Sequence, residues 1–221
     1  AYAAAGGINV APVAGAPRGI SLTRRDATGA MRWSQVYQGH PFIGGSFGGT
    51  GLDVLGGDRI ALCGRIQSQP LADQGAVVHH LSSAGGQIWG RYYFNPIIGT
   101  PTFNSFHDVH FVTNLDGSRS IVAVLYAAPA SFASRDTLVV KLDLAGNVQW
   151  SNTYGPTAHS DVAMGLEPAA NGDYIITGYT KEAGEGGGTY IARLRPDGTL
   201  LWWKDYRFIE PTGSIHEEAS G

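Results

Sequence analysis

The stretch DTLVVKLDLAGNVQWSNTY, Asp136–Tyr154, reads as two β-strands joined by a turn. Leu138, Val140 and Leu142 alternate with Val139 and Lys141, the period of a half-buried strand. Val148, Trp150 and Tyr154 share one face of the next strand by the same parity. The link Asp143–Asn147 carries Asp, Gly and Asn, the residues that tolerate the backbone of a hairpin turn. Trp150 follows Gly146 by four positions and Tyr154 follows Trp150 by four.

That ladder recurs. Gly29/Trp33/Tyr37, Gly85/Trp89/Tyr93 and Gly198/Trp202/Tyr206 repeat it at intervals of about 50 to 60 residues. A second strip repeats with it. Ser160–Tyr179 aligns without a gap on Ser46–Arg65 and on His107–Tyr126. A fourth, weaker copy begins at His216, runs to Gly221 and continues from Ala1 to Ala14, with Ala1 opposite Leu166. Each unit thus reads as four strands, exemplified by Asp161–Leu166, Asp173–Tyr179, Thr137–Asp143 (or Thr189–Arg195) and Val148–Tyr154 (or Leu200–Tyr206). No amphipathic helix of ordinary length is evident.

Repeating four-stranded units that close in sequence describe a β-propeller. The pattern VVKLDLAGNVQW…TYG…DVAMGL…NGDYIITGYT resembles the Trp-bearing propeller repeats of bacterial exported proteins, related to quinoprotein-type blades. The resemblance covers nearly the whole chain and is closest over Asp136–Thr180. Arg25 departs from it, standing where Leu81, Leu142 and Leu194 stand in the other units. The expected fold is therefore all-β, a single four-bladed propeller over residues 1–221. Its units are approximately 46–106, 107–159, 160–215, and 216–221 joined to 1–45. The last blade is expected to close by pairing a C-terminal inner strand with N-terminal strands, in one chain or head to tail between chains. Left unpaired, those strands present open edges.

Composition narrows the function. Charged residues make up only 15% of the chain, against roughly 25% in an ordinary soluble domain. Net charge is −3 with no long basic run, which argues against nucleic acid as a partner. No apolar run approaches the roughly 18 residues of a membrane-spanning helix, so no membrane insertion is expected. Cys63 is the single cysteine, in an apolar run, and reads as a buried inert thiol. The chain begins at Ala1 without Met; together with its composition this points to an extracellular or cell-surface location, with the periplasm as an alternative.

Candidate chemistry gathers at the starts of the first strands. Ser46, His107, Ser160 and His216 align, followed by Phe47, Asp108, Asp161 and Glu217. Asp108, Asp161, Glu217, His107 and His216 could hold a divalent, calcium-like cation at the channel mouth. Alternatively, Asp108 and Asp161 accept backbone hydrogen bonds from a neighbouring blade and lock the ring. The four repeated tryptophans read as packing between sheets. Trp203 faces the other way by strand parity and is a candidate exposed aromatic for sugar stacking or a subunit contact. The variable segments after each fourth strand carry Phe103, Arg207 and Phe208, with His159 close by, and form a candidate ligand or subunit face. His79 and His80 are adjacent in a strand, so their rings point to opposite faces and share no metal.

These observations favour a non-enzymatic binding or assembly module that contacts protein partners or itself through its loop face and termini, without a cofactor. A carbohydrate-binding, lectin-like propeller is one alternative. A hydrolase or lyase using the channel-mouth carboxylates and histidines is another.

Overall fold

The Asp143–Asn147 turn forms as its chemistry demands. Gly146 adopts φ 82°, a left-handed conformation that costs glycine little. The Asp143 carboxylate accepts the backbone amides of Ala145 and Asn147. The flanking strands pair antiparallel, with Thr137 opposite Tyr154 and Lys141 opposite Trp150.

The computed structural model describes residues 2–7, 19–38, 46–56, 59–67, 74–93, 103–128, 135–157, 159–182 and 187–207. The protein is all-β: the described residues form fifteen strands in four antiparallel sheets. The first sheet comprises β1 (Tyr2–Gly7), β2 (Gly19–Arg25) and β3 (Met31–Gln38). The second comprises β4 (Ser46–Leu55), β5 (Arg59–Gln67), β6 (Gln74–Ser82) and β7 (Gln87–Tyr93). The third comprises β8 (Phe103–Thr113), β9 (Arg119–Ala128), β10 (Asp136–Asp143) and β11 (Val148–Tyr154). The fourth comprises β12 (His159–Pro168), β13 (Tyr174–Glu182), β14 (Gly187–Leu194) and β15 (Leu200–Arg207). Within each sheet, strands sequential in the chain are neighbours.

The sheets pack face on face in chain order. The first strand of each later sheet lies across its predecessor: β4 against β1 and β2, β8 against β4, β5 and β6, and β12 against β8, β9 and β10. Three apolar clusters fill the gaps. Ile20 and Leu22 meet Ile60, Leu62, Val77 and Leu81 between the first and second sheets. Ala61, Cys63 and Val78 meet Phe106, Ile121, Leu138 and Val140 between the second and third. Val122, Val124 and Val139 meet Ala163, Tyr174, Ile176 and Tyr190 between the third and fourth. Strand burial follows position. In β10, flanked on both sides, every residue from Thr137 to Leu142 is buried, whereas β14 alternates half-buried and buried. His79 and His80 face opposite ways, His79 against Tyr37 and His80 against Trp89 and Phe111.

Two registers differ from the sequence alignment. Tyr2 pairs with Arg25 as Tyr174 pairs with Leu194. The second-strand position of the N-terminal unit is therefore held by Tyr2–Gly7, a different register from the alignment that set Ala1 opposite Leu166; residues 8–14 of that alignment lie outside the described residues. The hairpin between β8 and β9 is also longer at its tip than its counterpart in the fourth sheet. Phe111 pairs with Ile121 where Pro168 pairs with Tyr174, which slides β8 along its sheet relative to the gapless alignment. The proposed closing strand, 216–221, lies outside the described residues.

Candidate functional site

The slide of β8 separates the two aspartates that the alignment equates. Asp108 stands opposite Val124, level with Gly51 and Gly165, which face Cys63 and Thr177. Asp161 stands opposite Thr180, farther toward the start of its strand. They occupy different surroundings.

Asp108 belongs to a polar seam along the first strands. Its Oδ2 accepts the Leu166 amide of β12 at 2.9 Å, and Asp53 Oδ2 accepts the Phe111 amide of β8 at 2.7 Å. Each carboxylate thereby ties one sheet to the next. His110 lies between them, Nε2 at 3.5 Å from Asp108 and Nδ1 at 3.8 Å from Asp53. Burial opposes charge on His110, but the bond to Asp108 and the charges of Asp108, Asp53 and Glu167 outweigh it and raise its pKa. Burial likewise opposes ionisation of Asp108, but His110 and the Leu166 and Val109 amides outweigh it and lower its pKa. The seam is thus a pair of carboxylate-to-amide ties between sheets with one imidazole set between the carboxylates. Asp53 and Glu167 were not anticipated. Their positions align with His110, so no shared residue type marks them.

Asp161 is fully buried, and among the described residues neither carboxylate oxygen makes a well-formed hydrogen bond, Thr180 offering only a weak one. Burial pushes its pKa up to about 6, with Thr180 and His159 easing ionisation only in part. Gly155 packs directly against the carboxylate. Gly155 also borders a hollow of about 300 Å³ lined by Asp136, Thr153, Tyr154, Pro156, Thr157 and His159. His159 Nδ1 lies 3.3 Å from Thr180 Oγ1, and its Nε2 lies 3.8 Å from Glu182. Arg207 Nη2 donates to the same Glu182 oxygen at 2.8 Å. Two of the expected face residues, His159 and Arg207, are therefore brought together by Glu182, which the sequence reading passed over. His107 packs edge-on against Tyr126. Among the described residues no three His, Cys, Asp or Glu side chains converge in a way that could hold a metal ion. His216, Glu217, Phe208 and the side chain of Phe103 lie outside them.

Trp203 does not stand free. It stacks on Tyr190 at 3.9 Å between ring centroids, and its Nε1 donates to Asp205. Cys63 is a buried free thiol, its pKa raised by burial to about 12.

The Trp–Tyr ladder does more than fill space. Trp33 Nε1 donates to Ser83 O at 3.1 Å, Trp89 Nε1 to Leu144 O at 2.7 Å and Trp150 Nε1 to Pro196 O at 3.3 Å. In each case the acceptor lies in the last turn of the next sheet, two residues before the ladder glycine. The tyrosines follow suit: Tyr37, Tyr93 and Tyr154 donate to the carbonyls of Gly85, Gly146 and Gly198. Arg24 and Lys141 add a cation, donating to Ser83 O at 2.6 Å and Pro196 O at 3.2 Å. This clasp joins first to second, second to third and third to fourth sheets.

Among the described residues, both halves of a further clasp stand without a ladder partner, the Gly29 carbonyl accepting only Arg25 Nη1 of its own sheet. Trp202 and Tyr206 on the fourth sheet are 37% and 51% exposed, and Tyr179 on the same sheet is 44% exposed. At the other end, a Cβ placed on Gly29 would meet nothing within 4 Å, whereas at Gly85, Gly146 and Gly198 it would lie 3.1–3.2 Å from Trp33, Trp89 and Trp150. Arg193, the counterpart of Arg24 and Lys141, bonds instead to Asp173 of its own sheet, Nε at 2.8 Å and Nη2 at 2.6 Å.

The chain matches no protein-family model and no curated protein.

Proposed function

We propose that this protein is a non-enzymatic, exported binding and assembly module built on propeller-type blades, and that it docks other protein through the open face of its fourth sheet. The observation that carries this reading is the unmated clasp. Trp202, Tyr206 and Tyr179 form an exposed aromatic face, and the counterparts of Trp202 and Tyr206 in the preceding sheets are engaged with protein backbone. Aromatic faces of this kind supply much of the contact energy at protein interfaces. The Trp–carbonyl pairing used three times inside the chain specifies what the face is shaped to receive: a tight turn presenting two carbonyls.

A carbohydrate reading has one specific support, the same exposed aromatics, since Trp and Tyr rings also stack on sugars. It transfers from Trp203, which is stacked on Tyr190, to Trp202. The hydrolase or lyase reading would draw on Asp108, already engaged with Leu166, Val109 and His110, and on Asp161, fully buried beside the His159 hollow.

A photoreactive phenylalanine analogue placed at Tyr206, introduced in the organism that makes the protein, tests the reading. Protein adducts that disappear with Trp202→Ala are the expected result. No adduct, together with Trp202-dependent signals on a glycan array, would replace protein docking with sugar binding.

A further inference from the structure

We infer that the occupant of this face is a second copy of the same chain, which seats its Asp26–Ala30 turn over Trp202 and Tyr206 in a head-to-tail contact. The inference rests on the docking reading above and adds the partner.

The argument is one of continuity with three formed junctions. Each uses the carbonyl two residues before a ladder glycine, and the glycine carbonyl itself, as acceptors for a Trp and a Tyr. In the first sheet those acceptors are Ala27 and Gly29; the Gly29 carbonyl accepts Arg25 Nη1 at 2.8 Å in the single chain, a bond that docking would exchange for Tyr206. The turn that holds them has the mated geometry already: Gly29 has φ 86°, against 82°, 82° and 86° at Gly85, Gly146 and Gly198. Asp26 braces it as Asp143 braces its own turn, accepting the amides of Thr28 and Ala30. The turn is therefore preformed, as low-cost docking requires. A foreign partner would have to reproduce this turn; a second copy already contains it.

The two faces also match in polarity. On the fourth sheet Ile175, Thr177 and Ile191 occupy the positions of Val122, Val124 and Val139, which are wholly buried under β12. On the first sheet Ser21 and Thr23 occupy the positions of Leu138 and Val140 in the third. The fourth junction accordingly keeps an apolar pair, Ile175 and Ile191, but is more polar at Thr177 on one side and at Ser21 and Thr23 on the other than those inside the chain. Such surfaces tolerate water when apart, the mark of a reversible contact rather than an obligate one. Arg193 is the remaining element. On docking it would leave Asp173 and donate to Ala27 O, as Arg24 and Lys141 donate to their acceptors. Because each copy carries one face and one turn, the contact is heterologous and propagates to a ring or a filament.

Two variants split the contact. Trp202→Ala removes the face and keeps the turn. Gly29→Asn keeps the face and blocks the turn, since Asn tolerates positive φ and its Cβ has open space in the single chain. Sedimentation and light scattering should show wild-type mass rising with concentration, each variant alone at single-chain mass with self-association weakened at least tenfold, and an equimolar mixture forming a two-chain species and nothing larger. Unchanged far-ultraviolet dichroism and Tyr206→Phe, a milder change with the same direction of effect, guard against misfolding. Variants that associate as the wild type does would place the contact elsewhere and overturn the inference. A wild type that stays single-chain with Trp202 open to oxidative footprinting would overturn self-docking and leave the face for a different protein. A single-chain wild type with Trp202 protected would mean closure within one chain and overturn both readings.

Discussion

Asp161 costs the fold a buried charge at neutral pH. Its carboxyl has an ordinary value of 3.8 when the chain is unfolded and about 6 when folded. Between those values the folded chain holds a proton that the unfolded chain has lost, so stability falls as pH rises through this window. Above it the penalty is complete, about 3 kcal/mol at most for a shift of this size. Asp161→Asn keeps the shape and removes the ionisation. Thermal or denaturant unfolding should show it more stable than the parent at pH 7, equal near pH 4, and flatter between. A less stable Asp161→Asn at pH 7 would mean that a cation or a proton donor neutralises the carboxylate, which would favour the ion site anticipated at this residue. Gly51 poses a steric question instead. A Cβ there would lie 2.7 Å from the Asp108 backbone and 2.8 Å from Cys63 Sγ, with no flexible neighbour to yield. Gly51→Ala should therefore cost about 1–3 kcal/mol in chemical denaturation, the usual penalty of overpacking; a neutral effect would show that the second and third sheets can slide apart there.

Hairpins and their clasps operate at the next scale. Trp150 and Trp202 hold the same place in successive sheets, yet one is clasped to Pro196 and the other is 37% exposed. Truncating a fully buried Trp costs about 3–5 kcal/mol; Trp150→Ala, at a partly buried site, should fall toward the lower end of that range, with Lys141 still donating to the Pro196 carbonyl. Trp202→Ala in dilute solution should cost a small fraction of that, within about 0.5–1 kcal/mol. Equal losses in parallel urea titrations would mean that Trp202 is already clasped in the single chain. Much of this was legible beforehand. Alternation in Leu138–Leu142 and Gly in the turns marked the strands, and the bounds of β11, Val148–Tyr154, are those expected. What composition hid is that the Trp indoles are donors to backbone as well as packing. The seam of Asp53, His110 and Glu167 was hidden too, because one structural position is filled by three residue types. Asp108 was aligned with Asp161 because sequence similarity does not register the longer tip of the β8–β9 hairpin.

Across the whole molecule, stability in a row of repeats is close to a sum over units and their nearest-neighbour interfaces. The second and third sheets are covered on both faces, while the first and fourth each carry a face that meets water. The all-β class and the presence of four antiparallel sheets were readable from the ladder, since each sheet carries one turn and one Trp–Tyr pair. Whether the row closes was not, because Gly29 and Trp202 have the same sequence character mated or unmated. Hydrogen exchange separates the cases. In an open row, amides of Ile121–Leu125 and Leu138–Leu142, wholly buried in the third sheet, should exchange only on global unfolding. Those of β3 and β15 should exchange through cheaper local opening. Raising the protein concentration should then slow exchange in β15 and around Asp26–Ala30 together while leaving the third sheet unchanged, because one contact protects both ends. In a row sealed within one chain the ends would be clasped like the middle, all four sheets would share a common slow limit, and concentration would alter none of them.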